Sequence, residues 1–152
     1  MAYIDIITLA DAKNYLRIDD TLTEDDTQII RMISSALTYV EQFTNQILFA
    51  RDKDFRLING CVSVYDYPIN SDVTLGLISE SKTLHVNYIG NSNDLITLNV
   101  GYTDVSDIPT ELIDVAYEII DIYYYGKESG KSLADISPLN KDALNQYKRF
   151  IL

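Results

Sequence analysis

The sequence predicts a mainly helical α+β protein, with a short and a long N-terminal helix, a small inserted antiparallel β-sheet and a C-terminal helix pair. Apolar residues recur at helical spacing in the first and last thirds of the chain and alternate with period two between them. With 152 residues the chain has the length of one ordinary domain, so 1–152 is predicted as a single domain. Helices are predicted at about 8–18, 23–48, 109–125 and 137–150, and the β insert at about 52–101.

Two capping patterns position the N-terminal helices. Thr8 followed by Asp11 resembles a capping box at the start of the short helix. Thr23 and Asp26 repeat the pattern, and the acidic residues around them suit the positive end of a helix dipole. No Gly or Pro interrupts the chain before Leu48, so the second helix is predicted to be long.

The middle of the chain is predicted to form four or five short antiparallel strands. Asn59-Gly60 lies between two alternating apolar runs and favours a tight hairpin turn, because both central residues of such a turn have positive φ. Further turns are predicted at Tyr67-Pro68, at 79–81 and at 90–93.

Proline and glycine mark the C-terminal helices. Pro109 suits the first position of a helix, and Gly126 suits the residue that follows its end. The glycine and serines of 127–136 favour a flexible loop, and Ser137-Pro138 then begins the last helix.

Composition narrows the functional classes. The formal net charge is −11, from 12 basic and 23 acidic residues, which argues against a protein that holds nucleic acid through its overall field and leaves passive contact with DNA open. One Cys excludes an internal disulfide framework. No apolar run approaches the roughly 18 residues of a membrane span, and no signal segment is evident, so no membrane partner and a cytosolic origin are expected. Twelve tyrosines favour contact surfaces.

No catalytic, cofactor-binding or metal-binding residue is predicted. His85 falls on the polar face of a predicted strand with no nucleophile near it in sequence, and Cys61 has no adjacent cation to activate it. The acidic residues from Asp19 to Asp26 lack the glycine and the spacing of a calcium loop. Phosphate loops and hydrolase motifs are absent from the sequence. The sequence therefore predicts a protein that is not an enzyme.

The helix after Pro109 carries two features that concern surfaces. One is an acidic stripe of residues three or four apart, which is either a solvated face or a surface that lines a channel or meets bases of another subunit. Its members are Glu111, Asp114, Glu118 and Asp121. The other is Tyr123-Tyr124-Tyr125, whose side chains spread over about 200° of a helix and cannot all enter one core. They are half-exposed residues at a helix end or form a subunit contact.

Several segments together resemble the head-tail connector proteins of tailed phages, also called adaptor or head-completion proteins. The opening Leu9–Asp19 is similar to their leading helix, which ends in Tyr-Leu-Arg-(Ile/Val)-Asp. An acidic turn and a long helix with an aromatic-Thr pattern follow, as in that family. The remaining similar segments are Tyr67-Pro68-Ile69, Val100-Gly101-Tyr102, Ile108-Pro109 and Tyr147-Lys148-Arg149-Phe150. The resemblance covers nearly the whole chain, although the β insert is larger than a minimal member would carry.

The resemblance implies a structural virion-assembly protein that needs no cofactor. Such proteins form a ring, typically of twelve subunits, below the portal; the ring extends the DNA channel and offers a platform for tail or neck attachment. The implied partners are further copies of the chain, the portal protein, a neck or tail-completion protein and DNA passing through the channel. The implied location is the virion neck, after assembly in the host cytoplasm.

The resemblance also suggests which residues meet other proteins. The C-terminal segment is the candidate for docking on the portal. The candidate subunit or portal interface comprises Tyr123, Tyr124, Tyr125, Tyr147, Lys148, Arg149 and Phe150. Two alternatives stay open: another neck or tail-completion protein, or a small regulatory module that binds a peptide or metabolite.

Overall fold

The computed structural model describes residues 2–58, 61–70, 76–78, 84–87 and 95–149. The helices in this part of the chain are α1 (Tyr3–Ile6), α2 (Leu9–Leu16), α3 (Asp26–Thr44), α4 (Thr110–Ser129) and α5 (Pro138–Tyr147), with 3-10 turns at Val105–Asp107 and Leu133–Asp135. The strands are β1 (Arg51–Arg56), β2 (Cys61–Val64), β3 (Gly76–Ile78), β4 (Leu84–Asn87) and β5 (Leu95–Val100). This order confirms the predicted mainly helical α+β fold with inserted strands; α1 was not predicted.

The first two predicted helices are shorter in the structure than in the sequence analysis. α2 begins as expected, because the hydroxyl of Thr8 accepts a hydrogen bond from the Asp11 N–H at 3.1 Å. It ends at Leu16, since Arg17 adopts a left-handed conformation with φ 59°. α3 ends in the same way at Thr44, four residues before the predicted end, and its C-cap Asn45 is left-handed with φ 57°.

The predicted cap at Thr23 is wrong. α3 begins at Asp26, and its N-cap residue Asp25 makes no capping hydrogen bond with its side chain. The carboxylate of Asp26 instead pairs at 2.6 Å with the ammonium of Lys13, a residue that is 3% exposed. The same ammonium donates to the carbonyl of Leu22 at 2.6 Å. A buried cation from α2 therefore holds the acidic turn and the start of α3 together.

The strands pair with partners that are farther along the chain than the sequence analysis predicted. β1 pairs antiparallel with β5, and β2, β4 and β3 form a second antiparallel sheet in the order β2-β4-β3. The predicted hairpin between β1 and β2 is therefore wrong; its turn at 59–60 and the predicted turns at 79–81 and 90–93 lie outside the described residues.

Polar side chains explain why β1 takes β5 as its partner. Asp54 accepts a hydrogen bond from the Thr97 hydroxyl at 2.6 Å, and Asp52 accepts one from the Asn99 amide at 2.8 Å. Each of these pairs lies directly opposite in the register. Cross-strand pairs of this kind stabilise one register and one partner.

The end of α4 also differs from the prediction. Pro109 is the N-cap rather than the first helical residue, and the helix continues through Gly126 to Ser129. A Cβ at Gly126 would lie 2.8 Å from the carbonyl oxygen of Lys131, so this glycine permits the chain to fold back closely over the helix. The loop predicted at 127–136 is shorter in the structure, because the last three residues of α4 and a capped 3-10 turn occupy much of it.

The helices share one core, and a smaller apolar cluster lies beneath the sheet of β1 and β5. Alternating residues of β5 face this second cluster, which supports the period-two pattern. Fully buried residues of the helical core include Ile7, Leu16, Ile29, Ile33, Leu37, Leu112, Ile119, Ile120 and Leu144. The second cluster contains Ile47, Val64, Leu98 and Val100.

One buried carboxylate connects the helices to the sheet. Glu41 of α3 is 6% exposed, and its oxygens accept hydrogen bonds from the Tyr3 hydroxyl at 2.7 Å and the Leu48 N–H at 2.8 Å. The guanidinium of Arg51 donates to both oxygens, at 3.2 and 2.9 Å. α1, α3 and the start of β1 are thereby fixed to one side chain.

We expect Glu41→Gln to lower the free energy of unfolding by about 3 kcal/mol. The substitution leaves the Arg51 cation without its buried anion, and it places the amide N–H groups of glutamine among side chains and backbone groups that themselves donate hydrogen bonds. Urea unfolding followed by circular dichroism measures this loss. Glu24→Gln, at an exposed position, is the matched control and should stay within about 0.5 kcal/mol of wild type. Equal effects of the two substitutions would contradict the role given to Glu41.

We expect Gly101→Ala to destabilise the protein far more than Gly130→Ala. Gly101 has φ 113°, and a Cβ there would lie 2.3 Å from the Phe49 carbonyl oxygen, whereas Gly130 has φ 70° and open space around it. The second substitution should cost about 1 kcal/mol of unfolding free energy, and the first at least about 3 kcal/mol. Thermal unfolding of both variants provides the comparison, and similar midpoints would show that the close approach at Phe49 is not limiting.

Candidate assembly surfaces

The structure divides the predicted acidic stripe of α4 into two parts. The carboxylate of Glu118 accepts hydrogen bonds from the Ser137 N–H at 2.8 Å, the Ser137 hydroxyl at 2.9 Å and the Asn140 amide, and so holds the first turn of α5. Glu111 accepts a bond from the Tyr147 hydroxyl at 3.3 Å. Within the described chain Asp114 and Asp121 make no hydrogen bond or ion pair. Two of the four carboxylates therefore remain available to other molecules.

A pair of stacked tyrosines neighbours these two carboxylates. Tyr15 of α2 is 48% exposed, and its ring stacks on Tyr117 of α4 with centroids 4.9 Å apart. Burial raises the pKa of Tyr15, and the charges of Asp121, Glu118 and Asp114 raise it further. We call Tyr15, Asp114, Tyr117 and Asp121 the acidic-tyrosine face. Sequence analysis missed its tyrosines, although Tyr117 lies three residues after Asp114 and four before Asp121 on one helix.

The three consecutive tyrosines of α4 contact different neighbours. The Tyr124 hydroxyl donates to the Asp25 carboxylate at 2.7 Å, and this bond, with partial burial, raises the pKa of Tyr124 to about 12. The Tyr125 hydroxyl donates to the Leu16 carbonyl at 2.8 Å. Both tyrosines thus attach α4 to the segment that joins α2 and α3, and only Tyr123 is directed to another surface.

Tyr123 lies in a groove beside α3. Two cavities of about 410 and 340 Å³ adjoin there and share Ser35 and Tyr123 as lining residues. We call their lining the α3–α4 groove; its members are Gln28, Arg31, Met32, Ser34, Ser35, Thr38, Tyr39, Gln42 and Tyr123. Among these residues Arg31 carries the one charge, so the groove contrasts with the acidic surface of α4.

The C-terminal segment, Tyr147 to Arg149, is folded against the end of α3. The Arg149 N–H donates to the Thr44 carbonyl at 3.0 Å, and the Gln46 amide donates to the Tyr147 carbonyl at 3.1 Å. Its backbone is therefore fixed by hydrogen bonds at two points, Tyr147 and Arg149. Phe150, the last candidate interface residue, lies outside the described residues.

The two cations of this segment rest on aromatic rings. The Lys148 ammonium lies 4.7 Å from the centroid of the Phe43 ring, and the Arg149 guanidinium lies 4.7 Å from that of Tyr67. Burial lowers the pKa of Arg149. Both residues are half-exposed, and each charge lies against a ring at the edge of a fixed segment.

A cavity of about 320 Å³ opens between this segment and the sheet side of the molecule. Tyr102 lies in its lining, where its hydroxyl donates to the side-chain oxygen of Gln46 at 3.0 Å. Burial, with smaller contributions from neighbouring tyrosines, raises the pKa of Tyr102 to about 12.

The two residues that the sequence analysis considered for catalysis, His85 and Cys61, both lie in the sheet formed by β2, β3 and β4. His85 lies in β4 opposite Ser63 of β2, and Cys61 lies opposite Asn87 in the same sheet. Among the described residues no group of three or more His, Cys, Asp or Glu could hold a metal ion. No helix in that part of the chain combines the length and apolarity of a bilayer crossing.

Comparison with known proteins gives a family and a fold. Residues 6–148 match the family described as phage gp6-like head-tail connector protein. No curated protein sequence matches the chain. A chain in the virion of a native gene transfer agent particle is similar in structure, with a TM-score of 0.75 and 12% identity over 100% of this chain and 94% of that one.

A second similar chain comes from the neck of an empty gene transfer agent particle computed with C6 symmetry. Its TM-score is 0.70 at 12% identity, over 97% of this chain and 92% of that one. At these identities the two structures establish the fold, and the family match establishes the kinship. The family match extends from α1 to the C-terminal segment and so covers nearly the whole described fold. The chain therefore belongs to the phage gp6-like head-tail connector proteins and has a structural role in the virion.

Proposed function

We propose that the chain assembles into a twelve-subunit ring below the portal, extends the DNA channel and provides the platform for the next neck or tail component. The observation that carries this proposal is the connector family match over residues 6–148, because it covers nearly the whole chain. The neck structure computed with C6 symmetry supports a cyclic arrangement, since a ring of twelve has six-fold symmetry. Assembly takes place in the host cytoplasm, where heads and tails meet.

The charge of the chain suits a passive conduit. A net charge of −11 per subunit repels phosphate, so DNA can pass through a ring of such subunits without adhering to it. The role needs surfaces for protein partners and no catalytic centre.

The C-terminal segment is the proposed contact with the portal. Lys148 and Arg149 present two cations on a backbone that hydrogen bonds to α3 already fix. A segment that is ordered before binding loses less conformational entropy when it docks. The contact therefore takes an acidic surface on the portal.

We expect the double variant Lys148→Glu with Arg149→Glu to fold but to fail in joining portal-bearing heads to tails, because reversed charges would face an acidic partner. The measurement counts tailed particles by electron microscopy after purified protein is added to heads that lack the connector. Joining should fall at least about tenfold.

The matched control is Lys148→Gln with Arg149→Gln. It loses the same cation contacts with the aromatic side chains of Phe43 and Tyr67 but does not reverse the charge. It should join heads to tails better than the Glu variant, and circular dichroism should show both variants folded. Normal joining by the Glu variant would refute docking through this segment. A wild-type protein that neither forms rings nor binds portal-bearing heads would refute the connector role.

A further inference from the structure

The described chain carries two unlike surfaces on opposite sides of α4. Tyr123, which lines the α3–α4 groove, is nine residues from Asp114 and two from Asp121. At 100° per residue these positions are about 180° and 160° apart around the helix. One subunit therefore presents the groove on one side and the acidic-tyrosine face on the other.

The groove side of α3 presents positive charge without carboxylates. α3 contains three charged residues, of which Asp26 is paired with Lys13 and Glu41 is buried against Arg51. The third, Arg31, is exposed and lines the groove. Among the described residues Arg31 makes no ion pair, in a chain where 23 acids outnumber 12 bases.

The opposite side presents negative charge and an exposed ring. Asp114 is exposed, Asp121 is half-exposed, and the ring of Tyr15 is 48% exposed. An enclosed cavity of about 150 Å³ holds a benzene-sized ring. The two parts of the groove are larger, at about 410 and 340 Å³, and are open to solvent, so an aromatic side chain can enter either from outside. Tyrosine and arginine are the residues that contribute most often to the centre of protein interfaces.

Resting on the ring proposed above, we infer that the acidic-tyrosine face of one subunit docks into the α3–α4 groove of the next copy, with Asp114 and Asp121 facing Arg31. The two faces differ and lie on opposite sides, so the contact is head-to-tail and repeats from subunit to subunit. Close charge pairs at an interface fix its register and orientation.

The test uses charge reversal in the full chain. Arg31→Glu and Asp114→Arg, each alone, should lower ring formation at least about tenfold, because each places like charges at the contact. The double variant restores the opposite-charge pair between positions 31 and 114 but leaves Asp121 beside the new carboxylate at position 31. Its ring formation should therefore recover in part, to at least about threefold above either single variant. Native mass spectrometry and negative-stain electron microscopy, on free protein and on portal-bearing heads, measure the rings.

Two control variants carry the same kinds of charge reversal, basic to acidic and acidic to basic, at exposed residues away from the proposed contact. Lys131→Glu and Asp142→Arg lie outside both faces and should assemble as wild type does. Thermal unfolding should show all variants folded, since Arg31 and Asp114 are exposed.

The outcomes separate this contact from the ring itself. Wild-type rings together with normal assembly of Arg31→Glu, or with no recovery in the double variant, would overturn the pairing and leave the connector role standing. Normal rings of Arg31→Glu that fail only in binding another neck protein would give the groove to that protein instead. Failure of the wild type to assemble under any of these conditions would overturn the ring and the contact together.

Discussion

The carboxylate of Glu41 is the group on which the relative placement of helices and sheet depends. It lies 6% exposed on α3 and receives donors from α1, from the segment after α3 and from β1. A buried anion needs a full set of partners, because its desolvation is costly unless it is paired and hydrogen-bonded. That requirement draws Tyr3, Leu48 and Arg51 to one place. The N-terminal helix and the first strand therefore meet the same turn of α3.

Other polar groups of the helical half act in the same way, because their polar atoms bind within the subunit. Lys13 holds the acidic turn, Glu118 holds the start of α5, and the hydroxyls of Tyr124 and Tyr125 attach α4 to the α2–α3 segment. Each of these residues, taken alone in the sequence, has the character of a surface group. Their use inside the subunit leaves a smaller set of charges and rings for contact with other proteins, and this set is divided between two sides of α4.

The sequence predicted the fold class and the starts of two helices because these depend on neighbouring residues. Thr8 with Asp11 and Ser137 with Pro138 placed the starts of α2 and α5 through bonds that span three residues. The resemblance to connector proteins rested likewise on short segments in order along the chain, and the family match agrees with it. For the candidate surfaces, the sequence named the residues of the acidic stripe and the tyrosines but could not separate internal contacts from free groups.

By itself, the sequence determined where helix and strand periods begin and change, and it determined the acidic excess of the chain. Only the tertiary structure decided that β1 pairs with β5, that Glu118 binds Ser137 at the start of α5 and that Asp114 stays free. The physical reason is the distance along the chain over which each choice is made. Helix caps are settled within one turn, whereas Asp54 and Thr97 meet across 43 residues, a pairing that depends on cross-strand hydrogen bonds and on the burial of the apolar residues beside them.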